Sequence, residues 1–216
     1  MYKDSLMWFF NNNGLDLDAA PPPAAHEHFR IKLLTENVQL QDIIDSAVLD
    51  RMPKRVDEVM DERSELESAA TCDQIIRIMR RGTDIMNQHY LVNKALEFED
   101  EIIPLIIKML KTSLNDLFIE VSIRILAVCK QDIAEDLVSI FDDVRSPYAQ
   151  SLILVALGFK GGETLIPWLI KKYNLLKQLY PDESHCYGAY YALLEMEKRF
   201  YYDSSAFSSE QSGKSQ

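Results

Sequence analysis

The sequence has few glycines and few cysteines, and both scarcities limit the fold. Only 7 of its 216 residues are glycine, which argues against a fold built from many tight turns. The three cysteines, Cys72, Cys129 and Cys186, are odd in number and far apart. We therefore expect buried thiols in a reducing cytoplasm and no disulfide framework.

Long apolar runs are also missing. The longest, at residues 102–107 and 152–157, are far shorter than the roughly 20 residues that a membrane-spanning helix needs. An apolar patch at residues 7–10 follows a single lysine and precedes three asparagines, which is not the pattern of a secretory signal. The expected location is the cytoplasm, without a membrane partner.

Positive charge is scarce relative to negative charge. The chain has 23 lysines and arginines against 34 acids, a net charge of −11. This balance disfavours nucleic acid and anionic lipid as partners. It is compatible with a basic protein partner.

Catalytic signatures are missing as well. The loop at residues 158–164 has no Gly-Lys-Thr sequence for phosphate binding, and the adjacent His185 and Cys186 point about 100° apart on a helix. His26 and His28 offer two metal ligands without a visible third. We expect no enzyme activity, no cofactor and no metal site.

Composition divides the chain into three regions. Residues 1–35 contain Asn and Pro runs and are expected to be peripheral and partly flexible. Residues 203–216 include six serines and are expected to be disordered. Between them lies a helical region, 36–202, which opens with a charged helical hairpin over residues 36–67, where ten acids accompany four bases.

Four helices after residue 71 share an apolar spacing of i, i+4 and i+7, which places those residues on one helical face. Their first positions are 31, 30 and 33 residues apart. This repetition predicts that equivalent residues are buried at the same place in successive helix pairs, namely Ile107, Leu137 and Ile170. The four stripes are Cys72-Ile76-Met79, Ile103-Ile107-Leu110, Ile133-Leu137-Ile140 and Ile166-Ile170-Tyr173.

A second set of helices alternates with the first. Each carries a small residue within an apolar stripe, which allows two helix backbones to approach closely, and these residues are Ala95, Ala127, Ala156 and Ala192. Asn115, Ser146-Pro147 and Pro181 are expected to separate helices. We predict an all-α fold: a right-handed α-solenoid of about four helix pairs preceded by the charged hairpin.

Residues 71–199 resemble HEAT-type repeats, and an armadillo-like register fits nearly as well. The matching features are Ile-Pro at 103–104 and 166–167 and the run Val-Ala-Leu-Gly at 155–158. The resemblance implies a non-catalytic protein-binding module that uses its concave face. Two alternatives remain open: an acidic immunity-type or antitoxin-like inhibitor of a basic protein, and a nucleic-acid enzyme of the helical-repeat DNA glycosylase type. The bases considered for the latter are Arg77, Arg80, Arg81, Lys171, Lys172 and Lys177.

Seven of the ten tyrosines lie between residues 173 and 202. Tyrosine is frequent at binding hot spots, although the same residues could simply cap the last repeat. We expect Tyr187 to pack inward and Tyr190 to lie at the boundary with an exposed hydroxyl. With Glu183 and Glu197 it would form an aromatic anchor in an acidic frame for a basic or helical partner protein. The oligomeric state is left open.

Overall fold

A computed structural model of the chain describes residues 1–15, 20–36 and 56–202. These residues form eleven α-helices, short 3-10 turns and no strand, which confirms the all-α prediction. The first half of the predicted hairpin and the serine-rich tail lie outside the described residues. The helices are α1 (Tyr2–Asn12), α2 (Pro23–Glu36), α3 (Val56–Ser68), α4 (Cys72–Arg81), α5 (Gln88–Leu96), α6 (Glu99–Leu110), α7 (Asp116–Val128), α8 (Ala134–Ile140), α9 (Pro147–Lys160), α10 (Ile166–Leu179) and α11 (Tyr187–Tyr201).

Two of the predicted breaks are helix caps. The Asn115 side chain accepts a hydrogen bond of 2.8 Å from the Phe118 amide and opens α7. The Ser146 hydroxyl accepts one of 3.1 Å from the Ala149 amide, and Pro147 occupies the first turn of α9. Both arrangements satisfy amides that the first helical turn leaves unpaired. The predicted positions of these two breaks are confirmed.

Helices α7, α9 and α11 form an inner layer in which successive helices run parallel. At one end, the Tyr148 hydroxyl near the start of α9 donates 2.9 Å to Glu120 near the start of α7. At the other end, Lys160 Nζ donates 2.7 Å to the carbonyl of Cys129, which directly follows α7. Arg199 near the end of α11 likewise donates 3.2 Å to the carbonyl of Gly161, which directly follows α9.

The inner helices α9 and α11 touch backbone to backbone. A Cβ atom at Gly188 would lie 1.9 Å from the Ser151 carbonyl oxygen, and one at Gly158 would lie 2.6 Å from the Ala192 Cα. The small residue predicted at position 192 therefore sits at a close helix approach. Only glycine fits at position 188 without moving one backbone.

Helices α6 and α8 form part of an outer layer and are also parallel. The Glu99 carboxylate accepts hydrogen bonds of 2.7 and 2.9 Å from the Lys130 and Gln131 amides just before α8. Beyond the other ends of these two helices, Lys111 Nζ lies 2.7 Å from the Asp143 carboxylate. These contacts at both ends mean that α6 and α8 run in the same direction.

The predicted register of the outer helices is wrong by one position in two of three cases. Leu137 is fully buried, but Ile107 and Ile170 are only half-buried, and the fully buried residues are Ile106 and Leu169. Positions i+3 and i+4 flank the same helical face, about 100° apart. The i+3 side is the more deeply buried one in α6 and α10, whereas the i+4 side is buried in α8.

The two N-terminal helices contribute buried side chains to the hydrophobic core. Helix α1 packs against α10 and α11, and α2 packs against α7, α9 and α11. The side chains of Leu6, Phe9 and Ile31 are at most 1% exposed. The Asn and Pro runs that suggested a loose segment lie between the two helices or at their ends.

Candidate functional site: the groove that holds helix α2

The inner layer forms a groove, hereafter the inner groove, with α9 as its base and α7 and α11 as its walls. Helix α2 lies in this groove and contacts all three helices. It runs antiparallel to α7, since Glu27 meets Arg124 and, one turn further along α2, Arg30 meets Glu120 one turn earlier in α7. The inner face is thus already occupied by a helix of the same chain.

The α7 wall binds α2 through a buried two-pronged ion pair. Arg124 Nε and Nη2 donate 2.7 and 2.8 Å to the two carboxylate oxygens of Glu27. The two side chains are only 3% and 2% exposed. Arg124 also donates to Gln88 at 2.9 Å and to Glu120 at 3.1 Å, so each of its three nitrogens has an acceptor. Such fork-to-fork pairs are strong and directional.

Glu120 joins this ion pair to the base of the groove. It accepts from the Tyr148 hydroxyl at 2.9 Å and lies 3.4 Å from Arg30 of α2. Burial, with the negative charge of Glu120, raises the pKa of the Tyr148 hydroxyl. Tyr148 therefore remains a hydrogen-bond donor across the neutral pH range.

The α11 wall binds the opposite side of α2 through the opposite charge. The Glu195 carboxylate lies 3.1 Å from His28 Nε2 and 3.2 Å from Lys32 Nζ. Burial alone would raise the pKa of Glu195, but the hydrogen bonds and charges of these two partners outweigh it and hold that pKa below its ordinary value. The His28 ring also lies about 5.5 Å from the rings of Tyr191 and Phe159.

The α2 interface combines a few buried apolar side chains with several buried or half-buried charged groups. Of the apolar side chains of α2, Ala24 and Ile31 are fully buried, whereas Phe29 is 61% exposed on the outward face. Three charged or titratable side chains, Glu27, His28 and Lys32, point instead into the groove walls. Helix α2 therefore directs both apolar and charged side chains toward α7, α9 and α11.

The predicted tyrosine site lies outside the inner groove, under helix α1. Tyr190 is buried at 7% exposure, with its ring 5.8 Å from Phe9 and 5.5 Å from Phe10. Helix α1 covers the Tyr190 ring on this side of α11, and the exposure of its hydroxyl stays a prediction. Tyr187 is half-buried, and its ring lies 6.1 Å from that of Tyr190.

The two predicted acids occupy different surroundings. Glu183 is exposed in the loop before α11 and pairs with His185. Glu197 is half-buried on α11 and, after burial and Tyr191, is one of the groups that raise the pKa of Tyr190. The structure brings Tyr187 and Tyr190 together with Glu197 nearby, while Glu183 belongs to the loop.

The remaining reactive side chains are held in structural positions. Burial raises the pKa of the Cys72, Cys129 and Cys186 thiols, which disfavours the nucleophilic thiolate. Over the described ranges, no group of three or more His, Cys, Asp or Glu could hold a metal ion. In the same part of the chain, no helix is long and apolar enough to cross a membrane.

The bases considered for nucleic-acid binding lie on α4 and α10, outside the inner groove. Lys172 is buried and pairs with Asp142, and its Nζ lies 4.7 and 5.3 Å from the ring centroids of Phe141 and Trp168. Arg81 makes a two-pronged contact with Glu65 at 2.8 and 3.2 Å. These two bases serve contacts within the chain.

Sequence reasoning missed the three groups that organise the groove: Glu27, Arg124 and Glu195. The sequence does contain one indication of a buried ion pair. Arg124 is the only charged residue in the stretch 121–128, and a charge inside a helix that is apolar on all sides requires a buried partner. The sequence does not say which acid supplies that partner, because Glu27 lies 97 residues away.

No family model matches this sequence, and comparisons with curated proteins and with solved structures give no match either.

Proposed function

We propose that this chain is a non-catalytic protein-binding module, built as a short right-handed α-solenoid of the HEAT type, whose inner groove binds a helix of another protein. The observation that supports this is the mode of binding of α2. Opposite charges on the two walls, Arg124 and Glu195, hold one helix in one direction. A groove with these features is suited to recognising a helix.

The repeated junctions between inner helices support the solenoid. The second residue of α9, Tyr148, meets the fifth residue of α7, and the second residue of α11, Gly188, meets the fifth residue of α9. Stacking of equivalent helices in one register is how helical-repeat proteins build an extended concave surface.

A pull-down with three baits tests this function. The baits are the wild-type chain, a Glu27→Gln variant that weakens the α2 contact, and a Glu195→Lys variant that reverses one groove wall. We expect a partner whose recovery rises with Glu27→Gln and falls with Glu195→Lys. Equal recovery of every captured protein by all three folded baits would contradict binding through the groove.

A second candidate function, inhibition of a basic protein by an acidic one, is favoured by the outer surface of α8. Asp132, Glu135 and Asp136 are exposed there or just before it. A fourth bait that carries Glu135→Lys with Asp136→Lys separates the two functions. Loss of the partner with this bait alone would favour the acidic inhibitor.

A further inference from the structure

We propose that the inner groove recognises its partner by charge order, and that α2 is an internal occupant that a partner helix with the same order replaces. The recognised order is an acid at position i, a base at i+1, an apolar residue at i+4 and a base at i+5, as in Glu27, His28, Ile31 and Lys32. This inference rests on the proposed function, since it names the chemistry of the helix that the groove binds.

The helical period explains why this order fits. Glu27 and Ile31 are four residues apart and share one ridge of α2, while His28 and Lys32 form a second ridge about 100° away. The first ridge brings the acid to Arg124, and the second brings both bases to Glu195. A helix inserted in the reverse direction would exchange its ridges between the walls and place its acid against Glu195. The charges therefore select direction as well as composition.

The balance of apolar and charged contacts makes α2 replaceable. Residues 152–157 of α9 are each 0% exposed, whereas α2 has only Ala24 and Ile31 as fully buried apolar side chains. Leu34 and the His28 ring add partly buried contacts. Its other inward contacts are ion pairs, in which attraction is largely offset by the loss of hydration. Exchange for another helix with the same charges therefore changes the free energy little.

Replacement of α2 by a helix that lacks the acid at position i is energetically unfavourable. The Arg124 side chain is 3% exposed, and Glu27 accepts from two of its nitrogens. A covering helix that offers no acceptor leaves part of this guanidinium buried and unpaired, which is strongly destabilising. The groove thus rejects helices that lack an acid at position i.

A labelled synthetic peptide of residues 20–36 is the probe, and fluorescence anisotropy with the full-length chain is the measurement. In the wild-type chain α2 competes for the groove, so the apparent affinity falls by the fraction of molecules whose groove is open. A Glu27→Lys chain places a lysine beside Arg124 and opens its own groove. We expect this variant to bind the peptide at least about tenfold more tightly than the wild type.

Two matched controls test the charge order itself. A peptide that carries Glu27→Lys is expected not to bind the Glu27→Lys chain. A chain with both Glu27→Lys and Arg124→Glu restores opposite charges between its own α2 and α7, and is expected to return to the weak binding of the wild type. Circular dichroism establishes whether each chain is folded.

The proposal is overturned if the folded Glu27→Lys chain does not bind the peptide, or if it binds both peptides equally. It is overturned also if this variant loses its helical signal, because α2 would then be an inseparable part of the core. A pull-down partner that depends on Glu195 but is unaffected by Glu27→Lys would overturn the charge order and leave the protein-binding function standing.

Discussion

The two N-terminal helices bind the same helical array by different chemistry. Helix α1 inserts Leu6 and Phe9, and the Phe9 ring lies 4.9 Å from that of Tyr173 and 5.8 Å from that of Tyr190. Helix α2 inserts Glu27 between Arg124 and Arg30. Helix α1 packs through apolar side chains, whereas α2 adds buried ion pairs to its two fully buried apolar side chains.

This difference assigns the two helices different tasks. Burial of aromatic rings stabilises in proportion to the area removed from water and is indifferent to charge order. Paired charges contribute little net stability but penalise every wrong partner. We infer that α1 closes the end of the array permanently, while α2 occupies a site whose selectivity matters more than its strength.

The largest effect is expected at Phe9. Phe9→Ala removes a fully buried ring and should lower the free energy of unfolding by about 3–5 kcal/mol. Urea denaturation followed by circular dichroism measures it. Trp8→Ala is the control, because Trp8 is a neighbouring aromatic that is 60% exposed, and its loss should stay within about 0.5 kcal/mol. Equal losses of unfolding free energy at the two positions would mean that the buried Phe9 ring stabilises the protein no more than the exposed Trp8 ring does.

A smaller loss is expected at Glu27. Glu27→Gln weakens the hydrogen-bond acceptor of Arg124 and should lower the stability of the α2 contact by about 1–3 kcal/mol. Limited proteolysis measures this loss as faster cleavage within residues 20–36, with cleavage of the other helices unchanged. The double variant Glu27→Leu with Arg124→Met should recover most of that loss, because a buried ion pair can be replaced by apolar residues of similar size. A double variant less stable than Glu27→Gln would mean that the charges themselves stabilise α2.

Glu195 should make the α2 contact sensitive to acid. Its folded pKa lies below the ordinary 4.5, so its ionised form stabilises the folded state above that value and the contribution is lost as pH falls through the folded pKa. The groups that face it are His28 and Lys32 of α2, with Arg199 along its own helix. Comparison of the wild type with Glu195→Gln by chemical denaturation should show a stability difference that is present at neutral pH and shrinks below about pH 4.5. A difference independent of pH would contradict this role.

The smallest effect is expected at Arg30. This side chain is 37% exposed and lies 2.7 Å from Glu27 and 3.4 Å from Glu120. Glu27 keeps both of its bonds to Arg124 when Arg30 is removed, so Arg30→Ala should cost only about 0.2–1 kcal/mol. The loss should shrink further in 1 M salt, where exposed ion pairs are screened. A loss as large as that of Glu27→Gln would mean that the rim of the groove contributes as much as its buried pair.

Sequence patterns predicted helix boundaries well where the relevant interactions are local. Asn115 and Ser146 open their helices through bonds to residues three positions away, and such caps can be read from neighbouring residues. The assignment of Ile107 in place of Ile106 as the buried residue shows what such patterns cannot determine. Both residues fit one apolar stripe, and only packing against the inner layer separates them.

The groove could not be predicted because its contacts join distant parts of the chain. Glu27 and Arg124 are 97 residues apart, and His28 and Glu195 are 167 apart. Helix α2 also directs charges inward, so it shows none of the apolar periodicity by which core helices are recognised. The contacts of Tyr190 with Phe9 and Phe10 could not be predicted for the same reason, because nothing near position 190 indicates that α1 covers its ring.

Native-state hydrogen exchange of the wild-type chain tests most directly whether α2 is an exchangeable occupant of the inner groove. The amides of α2 should open by a local transition with a lower free energy than those of α1, and α7, α9 and α11 should remain protected while α2 is open. Exchange of α2 only together with the inner helices, at the free energy of global unfolding, would contradict this and make α2 a permanent part of the core.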